Sequence, residues 1–153
     1  MNTPRVIEPE WLDGLPPDDP RARRSRRDLR RINALMMNAA FVARELRRIY
    51  PAQSPRTILE IGAGDGDFML KVALRLAPAW RGVGAVLLDR QSLIEAAGRA
   101  EFTAIGWQLQ TVAADVFAWL AKPGIAQWDV IVANLFMHHF SRSEERRVGK
   151  ECA

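Results

Sequence analysis

The stretch ILEIGAGDGDFML, residues 58–70, decides the fold, because it joins two apolar runs through a glycine-rich turn. The first run predicts a buried β-strand over 57–61, and the second predicts a helix over 67–77. The turn between them contains Gly62, Gly64 and Gly66. A strand, a glycine turn and a helix in this order are typical of a site for a nucleotide-like ligand, since free N–H groups at the start of the helix face the ligand.

On either side of this turn, apolar strand-like runs alternate with amphipathic segments. Further strands are predicted over 84–88, 108–113 and 128–133, and further helices over 92–105 and 116–121. The alternation predicts an α/β fold, a Rossmann-like, doubly wound parallel sheet with helices on both faces. In such a sheet ligands bind beyond the carboxyl ends of the strands, and the glycine turn lies there.

The N-terminal segment, residues 1–55, is predicted to form an arm and a helical lid. Residues 1–20 are rich in proline and acid and suit an extended arm. Asp-Asp-Pro at 18–20 is a helix-start signal, because a carboxylate caps free N–H groups and proline suits the first helical position. The amphipathic helix that follows either continues into 43–50 or breaks before it. Its apolar positions are Leu29, Ile32, Met36, Ala40 and Phe41.

Composition limits the class of protein. The chain of 153 residues is one domain at most, and a hydrophobic fraction of 48% is enough to build a core. No apolar run approaches the about 18 residues of a membrane helix, and the N-terminus lacks a signal-peptide pattern, so we expect a cytoplasmic protein without a transmembrane segment. The single cysteine, Cys152, leaves neither a disulfide nor a cysteine metal site, and no metal is expected.

The C-terminal segment differs from everything before it. RSEERRVGKEC, from Arg142 to Cys152, is polar and has no apolar face, and it resembles the translation of a widely used sequencing adapter through all eleven codons. The alternative is an ordinary charged C-terminal helix, but a chance identity of this length is very rare. We therefore expect 142–153 to be a non-native tail and the native sequence to be cut near Ser141.

Three classes of ligand compete for the glycine turn. A phosphate-binding P-loop needs lysine after its last glycine, and a dinucleotide loop needs glycine at the sixth position from Gly62; Asp67 stands at both places. The carboxylates of Glu60, Asp65 and Asp67 would also repel a pyrophosphate. The sequence therefore predicts a ligand that lacks phosphate and carries positive charge.

The segment EIGAGDG, residues 60–66, resembles the first motif of the class I S-adenosylmethionine-dependent methyltransferases, which reads acid-x-Gly-x-Gly-x-Gly. S-adenosylmethionine meets the demand for positive charge, since it carries a sulfonium and an ammonium group. The alternative is a tight turn that holds no ligand. The resemblance implies S-adenosylmethionine as cofactor, bound by Glu60, Gly62, Ala63, Gly64 and Gly66.

Two more acids end predicted strands, in the order that this family shows. Asp89 ends the second strand in AVLLDR, where the resemblance implies a carboxylate on both ribose hydroxyls, with Arg90 beside it. Asp115 ends the third strand, where the resemblance implies contact with the adenine amino group, and Val116 and Phe117 would contact the ring. For both acids the alternative is a helix cap, for Asp89 a cap of the helix from residue 92 onward.

WDVIVANLFMHHF, residues 128–140, resembles the fourth motif of the family, where the chain leaves the sheet beneath the transferable methyl group. Asn134 would lie in the donor site. Enzymes that methylate the amino group of adenine carry Asn/Asp-Pro-Pro-Tyr/Phe here, and the segment 134–137 reads NLFM, so that activity is disfavoured. The native part also lacks a cysteine for methylation of pyrimidine C5.

The two histidines of the chain, His138 and His139, resemble a pair that follows the fourth strand in methyltransferases of the ubiquinone and menaquinone biosynthesis type. The resemblance implies catalysis, since a neutral imidazole can take a proton from a hydroxyl or an acidic carbon as the methyl moves. The alternative is a histidine that caps or packs under the next helix. A base is not obligatory, because in-line positioning can supply much of the rate.

The predicted activity is methyl transfer to oxygen or carbon of a small apolar acceptor. Apolar residues of the lid that suit such an acceptor are Met36, Met37, Phe41 and Tyr50. An RNA methyltransferase is the alternative, because residues 21–31 hold seven arginines that can bind phosphates. The run also suits an anionic membrane surface or a solvated helix face, and no aromatic residue interleaves with it.

A third possibility is that the chain is a fragment that binds the methyl donor but does not catalyse methyl transfer. The resemblance covers residues 57–140, which supply an N-terminal four-strand portion of the seven-stranded methyltransferase fold. The missing part includes the strand beside the fourth one, so a long apolar edge and aggregation are expected. Whichever of these functions applies, the predicted domains are an arm and helical lid over 1–55 and an incomplete donor-binding, Rossmann-like domain over 56–141, followed by the non-native tail.

The tail gives the first testable prediction. When the source DNA is resequenced through the codons after Ser141, we expect the reading frame to continue into further strand and helix units in place of the adapter-like residues. A frame that truly ends at Ala153 would contradict the prediction and leave a natural half-sheet.

Overall fold

The computed structural model describes residues 19–21, 23–25, 27–28, 38–91, 93–122 and 127–134. Four helices of this part are α1 (Asn38–Ile49), α2 (Asp67–Leu76), α3 (Ala96–Ala104) and α4 (Val116–Leu120). The four strands are β1 (Thr57–Ile61), β2 (Gly84–Asp89), β3 (Gln108–Ala113) and β4 (Val130–Ala133). β1 and β3 have the predicted bounds.

All four strands are parallel, in the order β3-β2-β1-β4. β1 lies inside the sheet, where Glu60 pairs with Leu87 of β2 on one side and with Val132 of β4 on the other. The predicted α/β, Rossmann-like parallel sheet is confirmed. Because the strands run the same way, their carboxyl ends meet at one edge of the sheet.

The sheet is covered on both faces, as a doubly wound arrangement requires. One face packs against α1, α2 and α3, with Ile58, Ala85 and Leu87 from the strands. The other face packs against α4, with Leu59, Ile61, Val86 and Leu88 from the strands. Alternate residues of β1 and β2 thus enter opposite layers, so both strands are mostly apolar, with Glu60 as the buried exception in β1.

Helix α1 buries a different face from the one predicted. The helix is unbroken from Asn38 to Ile49, and its buried residues are Ala39, Ala43 and Leu46. Phe41 is 56% exposed, and the guanidinium carbon of Arg44 lies 5.2 Å from the centre of its ring. The expectation that Phe41 lies on the packed face is wrong, because the helix packs into the core through Ala39, Ala43 and Leu46. Other positions of the predicted face lie outside the described residues: Leu29, Ile32 and Met36.

The helix-start signal ahead of α1 is confirmed. Pro20 is the first helical residue of its segment, and the Asp19 carboxylate accepts a hydrogen bond of 2.8 Å from the N–H of Arg21. Asp19 thus caps the helix as predicted.

Asp129 joins β4 to β1 at the amino edge of the sheet. Its Oδ2 accepts hydrogen bonds from the N–H groups of Arg56 at 2.6 Å and Thr57 at 2.9 Å. These bonds hold the pKa of Asp129 below its ordinary value. The hydroxyl of Tyr50 donates to the Asp129 carbonyl at 2.9 Å, which fixes the end of α1 at this edge.

The position of Tyr50 corrects a second expectation. The amino edge is opposite to the edge where the glycine turn lies, so Tyr50 cannot line an acceptor site beside that turn. Within the part of the chain that the structure describes, no helix combines the length and the apolar character needed to cross a membrane.

The packing of α3 against the sheet gives a prediction about stability. Phe102 is fully buried under α3, whereas Phe41 is 56% exposed. We expect Phe102→Ala to lower the free energy of unfolding by about 3–5 kcal/mol, because it removes buried contacts and leaves a cavity. Phe41→Ala is the matched control and should change it by about 0.5 kcal/mol or less. Urea unfolding followed by far-UV circular dichroism measures both, and equal losses would contradict this packing.

Candidate functional site

The glycine turn connects β1 to α2 and has three residues in the left-handed region. The φ angles are 72° at Gly62, 56° at Gly64 and 76° at Gly66. A Cβ on Gly66 would lie 2.8 Å from Leu87 Cδ1 and 3.1 Å from Ile94 Cδ1, so this glycine allows close packing. A Cβ on Gly64 would have no other atom within 4 Å. The backbone at Gly64 therefore borders open space, as a ligand cradle requires.

The end of β2 holds the turn in place. The carbonyl of Leu88 accepts hydrogen bonds from the N–H groups of Gly62 at 2.8 Å and Ala63 at 3.2 Å. Asp89 Oδ2 accepts from the N–H of Gly64 at 2.9 Å. Sequence reasoning placed Asp89 in the site but did not foresee that its carboxylate would order the glycine turn itself.

Asp89 does not cap the next helix. Its Oδ1 accepts from the N–H of Gln91 at 3.1 Å, and α3 begins at Ala96 with Glu95 as its N-cap residue. The prediction that this helix starts at residue 92 is wrong. Ile94, which precedes α3, packs its side chain between Gly66 of the glycine turn and Gly98 of α3.

Glu60 lies beneath the glycine turn and is only 2% exposed. Its Oε2 is buried and has no hydrogen-bond partner among the described residues. A buried polar atom in this state is costly unless something supplies the missing partner. The atom therefore marks this position as one that a ligand can complete.

Burial raises the pKa of Glu60 well above its ordinary value of 4.5, and the negative charges of Asp65, Asp89 and Asp67 raise it further. Each of these three aspartates therefore lies close enough to Glu60 to act on its charge. The sequence predicted a ligand with positive charge from three of these four carboxyl groups, and the structure adds Asp89 to the group.

The acids on the turn are ordered by local contacts. Asp65 Oδ1 accepts from the N–H of Asp67 at 3.2 Å. Lys71 Nζ lies 2.6 Å from Asp67 Oδ2, one helical turn further along α2. This lysine neutralises the charge of Asp67.

Asp115 is an N-cap, which was the alternative considered from sequence. Its Oδ1 accepts from the N–H groups of Phe117 at 3.0 Å and Ala118 at 3.2 Å. Its Oδ2 lies 3.3 Å from Arg90 Nη2, and its side chain is 40% exposed. Partial burial raises the pKa of Asp115, but the hydrogen bonds from Ala118, Arg90 and Phe117 outweigh that effect and hold the pKa below its ordinary value.

The neighbours of Asp115 differ in how far they reach the surface. Val116 is 5% exposed and packs in the core under α4, whereas Phe117 is only partly buried. Ala63 of the glycine turn is 7% exposed and likewise belongs to the core. Arg90 is 66% exposed and links the ends of β2 and β3 through its ion pair.

Asn134 follows β4 at the same edge as the glycine turn. Its Oδ1 accepts from Asn38 Nδ2 at 3.2 Å, so the start of α1 lies beside the end of β4. The predicted catalytic residues, His138 and His139, lie outside the described residues.

The structure thus places most of the predicted site residues at the carboxyl edge of the sheet. Sequence reasoning missed Asn38 and Ile94. Asn38 gives no sequence signal, because its partner is 96 positions away. Ile94 gives no helical-spacing signal, because it lies before the first residue of α3.

Neither the models of known protein families nor the curated proteins compared with the chain match it. Among the described residues, no group of three or more His, Cys, Asp or Glu side chains is placed to hold a metal ion.

The burial of Glu60 gives a prediction about stability and pH. Because the pKa of Glu60 is raised in the folded protein, its contribution to stability is fully present below about pH 4.5 and is lost as the pH rises through the raised pKa. The Glu60→Gln side chain stays neutral at every pH. Between pH 4.5 and the raised pKa of Glu60, the free energy of unfolding of this variant should therefore exceed that of the wild type by an amount that grows with pH, by up to about 1.4 kcal/mol per pH unit.

Urea unfolding at a series of pH values measures this difference. Glu101→Gln, on the exposed surface of α3, is the control and should follow the wild type at every pH. Parallel profiles for wild type and Glu60→Gln would show that Glu60 ionises in the folded protein as freely as in the unfolded one.

Proposed function

We propose that this chain carries the donor site of an S-adenosylmethionine-dependent methyltransferase that methylates oxygen or carbon of a small apolar acceptor. One observation carries the proposal: a turn with three left-handed glycines lies over a buried, unpartnered carboxyl oxygen of Glu60 and beside three aspartates. The turn lies at the carboxyl edge of a parallel sheet, beside the inner strand β1.

The charge at the turn favours this donor over a phosphate-bearing nucleotide. Asp65, Asp89 and Asp67 all act on Glu60, and Lys71 is paired with Asp67. A pyrophosphate here would face several carboxylates at short range. A ligand with a sulfonium and an ammonium group gains from the same charges.

The residues of the turn fit such a donor. Open space at Gly64 lets a ligand approach the backbone, and the unpartnered Oε2 of Glu60 can accept a hydrogen bond from an ammonium group. Each carboxylate oxygen of Asp89 accepts one N–H bond and keeps a second lone pair, so it can also accept from ribose hydroxyls. The partly exposed Oδ2 side of Asp115 and the ring of Phe117 would border the adenine.

S-adenosylmethionine supplies an electrophilic methyl group when it is bound. The protein would hold the acceptor in line with that group and exclude water. Asn134 lies at the end of β4 and is bonded to Asn38, so the start of α1 would close one side of the acceptor site. His138 or His139 would take the proton that the acceptor loses.

The apolar acceptor is supported by one feature of α1. Phe41 lies one turn after Asn38, near the carboxyl edge, and is 56% exposed. A large exposed aromatic side chain beside the proposed site suits contact with an apolar molecule.

An RNA acceptor is the second candidate, because the described arginines of the N-terminal run are all exposed: Arg21, Arg23, Arg24 and Arg27. If they hold phosphates, an electrophoretic shift with RNA should weaken steeply as salt is raised. A shift that does not change with salt would remove this candidate.

Donor binding gives the test of the main proposal. By isothermal titration calorimetry, we expect the wild type to bind S-adenosylmethionine and S-adenosylhomocysteine, and not to bind ATP. Gly64→Ala should weaken donor binding by about tenfold or more, because the added methyl group enters the open space that the ligand would occupy.

Gly82→Ala is a matched control. Gly82 also has positive φ, at 72°, and its Cβ would also meet open space, but it precedes β2 at the amino edge of the sheet. Both variants should lose about 1–2 kcal/mol of stability from backbone strain, and only Gly64→Ala should lose affinity. Equal affinities in the two variants, or tighter binding of ATP than of S-adenosylmethionine, would overturn the proposal.

A further inference from the structure

Glu60 is the one charged or polar residue among the described residues that is removed almost completely from water. Other carboxylates near the strand ends accept N–H hydrogen bonds, as Asp89 and Asp115 do. Glu60 Oε2 has no such partner among the described residues. The first two N–H groups of the turn, those of Gly62 and Ala63, donate to the carbonyl of Leu88.

The charges that face Glu60 come from three elements. The glycine turn contributes Asp65, the end of β2 contributes Asp89, and α2 contributes Asp67. Lys71 of α2 is held by Asp67 at 2.6 Å. All three aspartates act on Glu60 in the same sense, since each disfavours its ionised form.

The remaining neighbours of Glu60 add no ionisable side chain among the described residues. In the sheet, Glu60 pairs with Val132 of β4. Asn134, which follows β4, accepts a hydrogen bond from Asn38 of α1. The positive charge of Arg90 lies 3.3 Å from Asp115. The titratable residues His138 and His139 follow β4 outside the described residues, so the experiment must distinguish them from Glu60.

We propose that Glu60 recognises the charge of the methyl donor: it keeps its proton in the free protein and releases it when a cationic ligand enters the glycine turn. The carboxyl O–H bond breaks, the proton passes to the solvent buffer, and the carboxylate remains beside the positive charge of the ligand. No other bond forms or breaks. This inference rests on the proposed function and adds a coupling between donor binding and pH.

The physical reason is a balance between burial and charge. An ionised Glu60 without a counter-charge would lie in a dry position beside three aspartates, which is costly. A cation in the turn compensates that cost, so the ionised form becomes the favoured one. A neutral ligand at the same turn gives no compensation and leaves the proton on Glu60.

The affinity for a cationic donor should consequently depend on pH. Since binding releases a proton, the affinity rises with pH above the ordinary glutamate value of 4.5, by up to about tenfold per pH unit. It becomes constant above the raised pKa of the free protein, where Glu60 has already lost its proton.

Calorimetry in pairs of buffers counts the protons directly. The complete chain is titrated with S-adenosylmethionine at a series of pH values from about pH 5 to about pH 9, each time in two buffers that both hold that pH and differ in ionisation enthalpy. The difference in heat divided by the difference in ionisation enthalpy gives the number of protons released. We expect up to one proton per S-adenosylmethionine. 5′-Methylthioadenosine, which lacks both the sulfonium and the ammonium group, should bind without releasing any.

Two variants assign the proton. Glu60→Gln cannot release it, so its heat should be the same in both buffers, and Glu101→Gln should behave as the wild type. Release that persists in Glu60→Gln would assign the proton to another group, such as a histidine, and would overturn the inference. Circular dichroism of each variant shows that it is folded.

The result for the wild type distinguishes the two proposals without any variant. Binding of S-adenosylmethionine with no proton released at any pH overturns the role of Glu60 and leaves the proposed function standing. If neither S-adenosylmethionine nor 5′-methylthioadenosine binds the wild type, the proposed function fails, and the inference fails with it.

Discussion

The structure around the site depends on how the end of β2 satisfies the backbone of the glycine turn. Three successive N–H groups, those of residues 62–64, donate to the carbonyl of Leu88 and the carboxylate of Asp89. The parallel register that pairs Ile61 with Leu88 brings these groups into reach. With this backbone satisfied by protein, the chain can reverse in a half-buried position and enter α2, and Glu60 is enclosed beneath the turn.

Two carboxyl groups at opposite edges of the sheet show how local partners determine the pKa of an acid. Asp129 receives N–H hydrogen bonds from Arg56 and Thr57, so its charged form is favoured and its pKa is lowered. Glu60 is buried beside other acids, so its neutral form is favoured and its pKa is raised. The first arrangement stabilises the fold. The second one opposes it, and residues that oppose the fold are expected where a protein binds a ligand.

Much of the fold followed from local pattern, since apolar runs bounded by glycine and proline predicted all four strands and the bounds of β1 and β3. Errors arose where a distant contact outweighed the pattern. Ile94 packs against Gly66 in the segment where a helix was predicted, and α1 buries Ala39, Ala43 and Leu46 and leaves Phe41 exposed. Glycine and acid spacing predicted the candidate site, but the isolation of the Glu60 carboxyl could not be read from sequence, because it depends on the helices that cover β1.

The strand order has a consequence for how the chain folds. β1, β2 and β3 pair with strands adjacent in sequence, whereas β4 pairs with β1 across a much longer loop, with Thr57 and Asp129 separated by 72 positions. Closing that loop costs more chain entropy than closing the shorter ones, so we expect the β1–β4 pairing to form late in folding. On a ribosome the first three strands emerge before β4 is synthesised. Until β4 pairs with it, β1 is an unpaired edge strand of the sheet, and it could pair with the same edge of another nascent chain. Capture of this edge by a chaperone would protect the chain during synthesis.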